Sequence, residues 1–482
     1  MHEWQKVASQ KEAANDPIWV LQDMQMGGWR HKIFARTCNE CQDGALAVIR
    51  SPQRMGCMLR YLCAHFAKSQ LWHTSGLLFA FFLTEACGLT PQAMGWVLGL
   101  TLFLNGLADL ALGTKLDGRI ADAATAATLQ ARAAPAVAAC FLLFAITPLI
   151  PADWRVIWAL VTLSGFRLLY PLVDVAQNAL VPLMTLDTAV QRRWLAARNV
   201  VSSLAALAVV ALAAPLLIAG RSALIYPFWA AIVAGAMWWT SAWTAGASWP
   251  ARPAPNPLQQ EGARPVDLPI ILLALAAMMF TVTLFRTLEP YFTAFASHRI
   301  ELMLWAAIGA PISQPLWVLW IGRHGMARVL LGMAATLLVA ALLLTDPIRV
   351  SAIGGMAIGM LFGAGTSGLW LVLWAMMTQR AVPSRALRYV GTFTCMSKLA
   401  QGAAMLLVGR ILARTPYSQT LADPASPPSR LMMTALVATA GVAIGLAVYR
   451  RGITRTASVG TAAKRHRPAH SIPVPDRPRS AG

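Results

Sequence analysis

The stretch 170–198, YPLVDVAQNALVPLMTLDTAVQRRWLAAR, decides the fold. One strongly apolar segment ends inside it and another begins. Asp174 lies within the first, well before the polar break. A carboxylate in hydrocarbon costs roughly 2.5–3.5 kcal/mol on insertion scales, so it should face a polar interior. Arg192 and Arg193 read as a short polar connection, and Arg198 falls just inside the next segment. This is the pattern of a polytopic membrane protein with a polar cavity.

The composition extends that reading to most of the chain. Of 482 residues, 57% are hydrophobic and 12% are charged, against about 25% charged in soluble domains. Mean hydropathy is +0.55. The net charge of +20 invites a nucleic-acid reading. Its placement argues against one, because the basic residues sit in short loops and in the tail, the distribution of the positive-inside rule. No nucleic-acid partner is expected. Seven cysteines suggest no disulfide framework. Cys38-Asn-Glu-Cys41 has metal-type spacing but lacks a matching second pair, so no metal site is assigned. No ordered nucleophile–base set appears either, which argues against an enzyme.

Residues 1–57 are mixed polar, with no run long enough to span a bilayer and no signal-peptide order. They read as a cytosolic extension, or as upstream sequence preceding a start at Met55 or Met58. From Leu59 onward, apolar segments of bilayer-spanning length recur twelve times. Six fall in 58–246 and six in 268–450. The proline-rich stretch 247–267, ASWPARPAPNPLQQEGARPVD, reads as the linker between two bundles. The third segment is placed at 134–150. The basic tail 451–482 reads as disordered, with some attraction to anionic lipid. Lys and Arg concentrate in the even-numbered connections and the tail. The alternate loops hold mostly one each, such as Arg155 and Arg349. Both termini are therefore expected in the cytoplasm.

Several motifs together resemble one family. GLTPQAMGWVLGLTLFLNGLADLALGTKLDGR carries Asp109, Gly113, Asp117 and Arg119 in the helix 2–3 pattern of the major facilitator superfamily. More narrowly, it resembles the D-x-x-x-D-P-x-x-G pattern of the glycoside–pentoside–hexuronide:cation symporters, whose members include the melibiose carrier. LVDVAQNALVPLMTLD with Arg198 is similar to that family's helices 4 and 5. TFTCMSKLAQG places Thr394 and Lys398 on the helix-11 Thr and Lys, and PLWVLWIGRHG resembles the 8–9 loop. The resemblance covers about 59–449. It implies an all-α fold of twelve transmembrane helices in two six-helix bundles. It also implies alternating access, no organic cofactor and a monomer in a bacterial-type inner membrane.

The departures from that family matter equally. Lys68-Ser69 stands where the family often has Lys-Asp. Asn105 replaces the first helix-2 Asp, and Leu110 stands where proline is expected. Asn178 replaces the aromatic one turn after Asp174, while Tyr170, one turn before it, is kept. Asp109, Asn105, Thr394 and His73 are the candidates for cation coupling. With Asn105 neutral, H⁺ is favoured over Na⁺ as coupling ion. Lys68, Ser69, Tyr170, Asp174, Asn178, Arg198 and Lys398 are the candidate substrate contacts. An Asp174–Arg167 structural pair is the competing assignment, since seven residues separate them on one face. Glu289 and Arg286 read as interfacial. The surplus of Lys68, Arg198 and Lys398 over Asp109 and Asp174 predicts a sugar-like substrate with a negative charge, such as a uronide. The alternatives are a lipid or amphiphile transporter on the same fold, or a transport-dead sensor or scaffold.

Overall fold

The computed structural model describes residues 52–116, 119–120, 122–184, 188–220, 224–249, 268–380 and 386–465. Twelve long helices and no strand are found among the described residues. They are α1 (Pro52–Phe81), α2 (Pro91–Lys115), α3 (Ala123–Ala145), α4 (Arg155–Met184) and α5. The last runs from Thr188–Ala208 through a π-turn, Val209–Ala213, into Ala214–Gly220. α6 (Ile225–Ala245) closes the first half. The second half holds α7 (Leu268–Phe292), α8 (Glu301–His324), α9 (Met326–Leu343), α10 (Ala352–Arg380), α11 (Ala386–Ala413) and α12 (Pro427–Arg465). Ten of the twelve, all but α1 and α6, are long and apolar enough to cross a membrane by length and composition alone. α1 carries Arg60, His65 and Lys68, which lower its hydropathy. α6 is rich in Trp, Ala and Thr.

Local chemistry explains the helix ends. Thr90 caps α2, accepting from Ala93 N–H at 3.2 Å with Pro91 at the first helical position. Asp122 caps α3, accepting from Thr125 N–H at 2.7 Å. These bonds hold its carboxyl below the usual carboxylate range. α3 begins at Ala123, eleven residues before the expected 134. The extra turns, AATAATLQARA, are built from alanine, a strong helix former of little hydrophobicity. Pro135 lies inside the helix rather than at its start. Gln130 in this extension is buried and donates to Ser241 of α6 at 3.0 Å.

Three other expectations shift. Arg192 and Arg193 fall in the first turns of α5 rather than in a connection. α1 begins at Pro52, so the last residues of the 1–57 segment are helical. α12 continues to Arg465, into the stretch read as a disordered tail, with no proline before Pro468 to stop it. Residues 1–51, most of the 247–267 linker and 466–482 lie outside the described residues, as do Cys38 and Cys41.

With an even number of crossings, α1 begins and α12 ends at the same end of the bundle, here the terminal end. At the far end, two arginines staple loops. Arg155 donates to Ile150 O, Cys87 O and Pro148 O at 2.8, 2.8 and 3.1 Å. Arg349, 2% exposed, donates to Ala422 O at 2.6 Å and Leu421 O at 3.2 Å. Both belong to the sparse set of far-end basic residues, and both are committed to backbone carbonyls.

The halves meet along α2 and α11, α1 and α7, and α5 and α8. Small residues bring α2 and α11 to backbone contact. A Cβ on Gly391 would lie 2.7 Å from Asp109 O and 3.1 Å from Gly113 Cα. At the far end the halves are sealed. Thr84 Oγ1 lies 2.8 Å from Tyr291 Oη, and Tyr417 Oη donates to Glu85 Oε1 at 2.8 Å. Phe81 and Phe295 pack around Tyr291 and Tyr417.

Candidate functional site

Two ion pairs occupy the interior between the halves. Lys398 Nζ of α11 lies 2.6 Å from Asp109 Oδ2 of α2, with the side chains 6% and 1% exposed. The close approach of the two helices at Gly391 and Gly113 sets this distance. Gly113 therefore serves helix packing, Arg119 is exposed in the turn beyond, and Asp117 lies outside the described residues. One turn before Asp109, Asn105 is fully buried, and neither amide atom has a hydrogen-bond partner. Thr394 Oγ1 donates back to Val390 O at 3.0 Å. Asp109, Lys398, Asn105 and Thr394 are thus brought to one level of the α2–α11 contact.

The second pair decides against the competing assignment. Asp174 accepts from Lys68 Nζ at 2.6 Å, not from Arg167. Lys68 is 3% exposed and Asp174 22%. α1 and α4 face one another here, and the short ammonium stem reaches the carboxylate directly. Arg167 instead lies 5.5 Å over Trp72 and 5.7 Å over Phe166. It is buried, and its Nε and Nη1 have no hydrogen-bond partner. Arg198 is partly buried beside Tyr61 and Asp174.

Trp72 is the residue that sequence reasoning missed. Both Arg167 and Lys398 lie near its ring, Lys398 Nζ at 5.2 Å from the centroid. Tyr170 stacks on it at 5.8 Å. Tyr170 is 2% exposed and its hydroxyl donates to Lys68 O at 3.4 Å. It therefore supports Trp72 from behind instead of facing a substrate, because the Trp72 and Phe166 rings cover it. Asn178 is partly buried with its Oδ1 unpartnered. Where the family's helix 4 would have an aromatic, the ring beside these charges comes from α1. The spacing held this signal, since Trp72 follows Lys68 by four residues and shares its face.

His73 is not part of the Asp109 group. It is partly buried, with Nε2 3.5 Å from Ser202 Oγ of α5, and its charged neighbour is Arg286 of α7. Ser69 is buried in α1, one turn before it. Glu289 is fully buried, contrary to the interfacial placement. Arg286 Nη1 donates to its Oε2 at 3.3 Å, and Oε1 has no partner. Pro290 and the π-turn that follows α7 carry the chain on past Glu289, so it is not at the segment's wet end. No group of three or more metal-ligating side chains occurs among the described residues.

Twelve helices in two bundles, with ion pairs and an aromatic ring buried where the bundles meet, are the architecture of a major facilitator transporter. The model of the MFS/sugar transport protein family matches residues 60–449. The chain belongs to that family; it is an integral, multi-pass membrane transporter and not an enzyme. No curated protein sequence matches it significantly. Among solved structures, a D-xylose-proton symporter aligns with a TM-score of 0.55 at 12% identity, covering 82% of this chain and 97% of that one. The nucleoside transporter NupG aligns at 0.53 and 12% identity, covering 83% and 99%. A bacterial homologue of the iron transporter ferroportin, outward-facing, aligns at 0.54 and 11%, covering 82% and 99%. At these identities the likeness is one of fold.

Proposed function

We propose that the protein is a proton-coupled symporter of an acidic sugar, such as a uronide, working by alternating access. The charge balance of the buried cluster carries this reading. Lys68, Arg167, Arg198 and Lys398 stand against only Asp109 and Asp174. Buried charges persist when they are paired. An anionic substrate completes the set, with Trp72 offering a ring face to a sugar. Lys68 and Asp174 lie where hydroxyls and a carboxylate would compete with their mutual bond.

Coupling is assigned to Asp109. Its carboxylate exchanges Lys398 for a proton as α2 and α11 move apart. The neutral amide of Asn105 beside it favours H⁺ over Na⁺, because sodium has lost one carboxylate ligand. The match of residues 60–449 to the MFS/sugar transport protein family supports a sugar as cargo. The terminal end is assigned to the cytoplasm of a bacterial-type inner membrane. The two far-end arginines held by backbone carbonyls leave the basic loops of the terminal end unopposed. The protein is read as a monomer with membrane lipid around it.

Thermal unfolding of the purified protein tests the substrate class. Methyl β-D-glucuronide should raise the midpoint and methyl β-D-glucoside should not, and Asp174→Ala should remove the shift. Equal shifts by the two sugars, or a shift by lysolipid alone, would overturn the reading.

A further inference from the structure

A third ion pair, Arg286 with Glu289, lies apart from the Asp109 and Asp174 groups. We propose that Arg286 is the second-half contact for the substrate's anionic group, and that Glu289 is its built-in competitor, taking up a proton when substrate displaces it. The inference rests on the acidic-sugar reading above.

Arg286 has the reach for this. It lies on α7 with its side chain 24% exposed, over the Phe362 ring of α10 at 5.0 Å. It faces His73 of α1 in the other half, whose Nε2 lies 3.5 Å from Ser202 Oγ of α5. It is therefore a partly open cation at the plane where the halves meet. Glu289 has the opposite character. It is fully buried, holds Arg286 by a single contact at 3.3 Å, and leaves Oε1 without any partner. A bond of that length is a weak one for a charge-assisted pair, whose N–O distances run about 2.7–2.9 Å. The half-satisfied carboxylate thus has one exchangeable cationic partner.

The surroundings offer Glu289 no substitute. α7 packs against α1, α8, α10, α11 and α12. From α1 comes His73, which faces Arg286, and beyond it Glu85, bonded to Tyr417. From α11 comes Lys398, committed to Asp109. From α7 itself Tyr291 bonds Thr84. α10 presents the Phe362 ring, and α12 presents Thr439, bonded to Thr281. Glu301 of α8 is tied to Arg299, while Arg323, His324, Arg388, Arg410 and Arg430 are exposed near helix ends, and Arg451 is exposed farther along α12 with Arg450 beside it.

The exchange balances. Before substrate, Arg286 and Glu289 cancel. When a substrate carboxylate takes the guanidinium, Glu289 is left in hydrocarbon with no cation and binds one proton from solution. The site is again neutral, with an Arg286–carboxylate pair and an uncharged Glu289. On release the carboxylate re-pairs with Arg286 and the proton leaves. Substrate and proton therefore enter together.

The test uses purified full-length protein in weakly buffered detergent near neutral pH, with a pH indicator. Adding methyl β-D-glucuronide should withdraw protons from solution in proportion to binding, and methyl β-D-glucoside should not. Glu289→Gln should lose that uptake. It should also bind glucuronide about tenfold tighter, the size of one charge-assisted bond no longer competed for. Thermal unfolding in the same samples reports folding and binding. Proton uptake that persists in Glu289→Gln overturns the inference while leaving acidic-sugar transport standing. So does glucuronide binding without proton uptake in the wild type. Absence of both binding and uptake overturns it through the failure of the acidic-sugar reading itself.

Discussion

Replacing Lys398 with methionine isolates the Asp109–Lys398 pair. The nitrogen and oxygen lie 2.6 Å apart with side chains 6% and 1% exposed. The magnitude for a buried pair therefore applies, not the ~0–1 kcal/mol of a surface bridge. Deleting one partner strands a charge and costs about 3–5 kcal/mol. For folding units of 150–250 residues, roughly the size of one six-helix half, each kcal/mol moves the midpoint by about 2–4 °C. The Lys398→Met variant should therefore unfold about 6–20 °C earlier. The deficit should shrink as pH falls, because protonation removes the stranded Asp109 charge. Adding Asp109→Asn should restore most of the loss, since both charges are then gone, while transport stays abolished. Intrinsic tryptophan fluorescence during a thermal ramp reads all three proteins. A double variant no more stable than Lys398→Met would refute the pairing argument.

Three further perturbations test other parts of the structure. Trp72→Ala removes a ring shared by Arg167 and Lys398, each such contact being worth about 0.5–2 kcal/mol; glucuronide affinity measured by calorimetry should fall, whereas Trp72→Phe should keep part of it. Gly391→Ala places a Cβ 2.7 Å from Asp109 O, an overpacking that costs about 1–3 kcal/mol and should lower the unfolding midpoint without altering the pH response. Tyr417→Phe removes the Glu85 bond of the far-end seal; hydrogen exchange should rise in 81–86 and 291–297 and stay unchanged in 123–145.

The fold was legible because bilayer length and hydropathy leave few alternatives, and because the motif resemblances fell in order on the right segments. The exceptions share a cause. The start of α3 was hidden by alanines, which form helix without raising hydropathy. The continuation of α12 past 451 was hidden because a basic sequence with small residues reads as solvated coil. At the site, the residue set around Asp109 and Asp174 was visible from the resemblance, but the partners were not. Periodicity on α4 offers Arg167 to Asp174; only the approach of α1 decides for Lys68. Trp72 shares the Lys68 face of α1, but the family resemblance places the expected ring on α4, at the position of Asn178, and so points away from it. Glu289 was misplaced because its position near the end of an apolar run hides the π-turn that carries the chain further.

The most direct test of the central claim is uptake of a labelled glucuronide into proteoliposomes under an imposed gradient. With the interior alkaline and no sodium present, wild-type protein should accumulate the glucuronide above its equilibrium level, and Asp109→Asn should not. Accumulation driven only by a sodium gradient, or none under either gradient, would contradict proton-coupled transport of an acidic sugar.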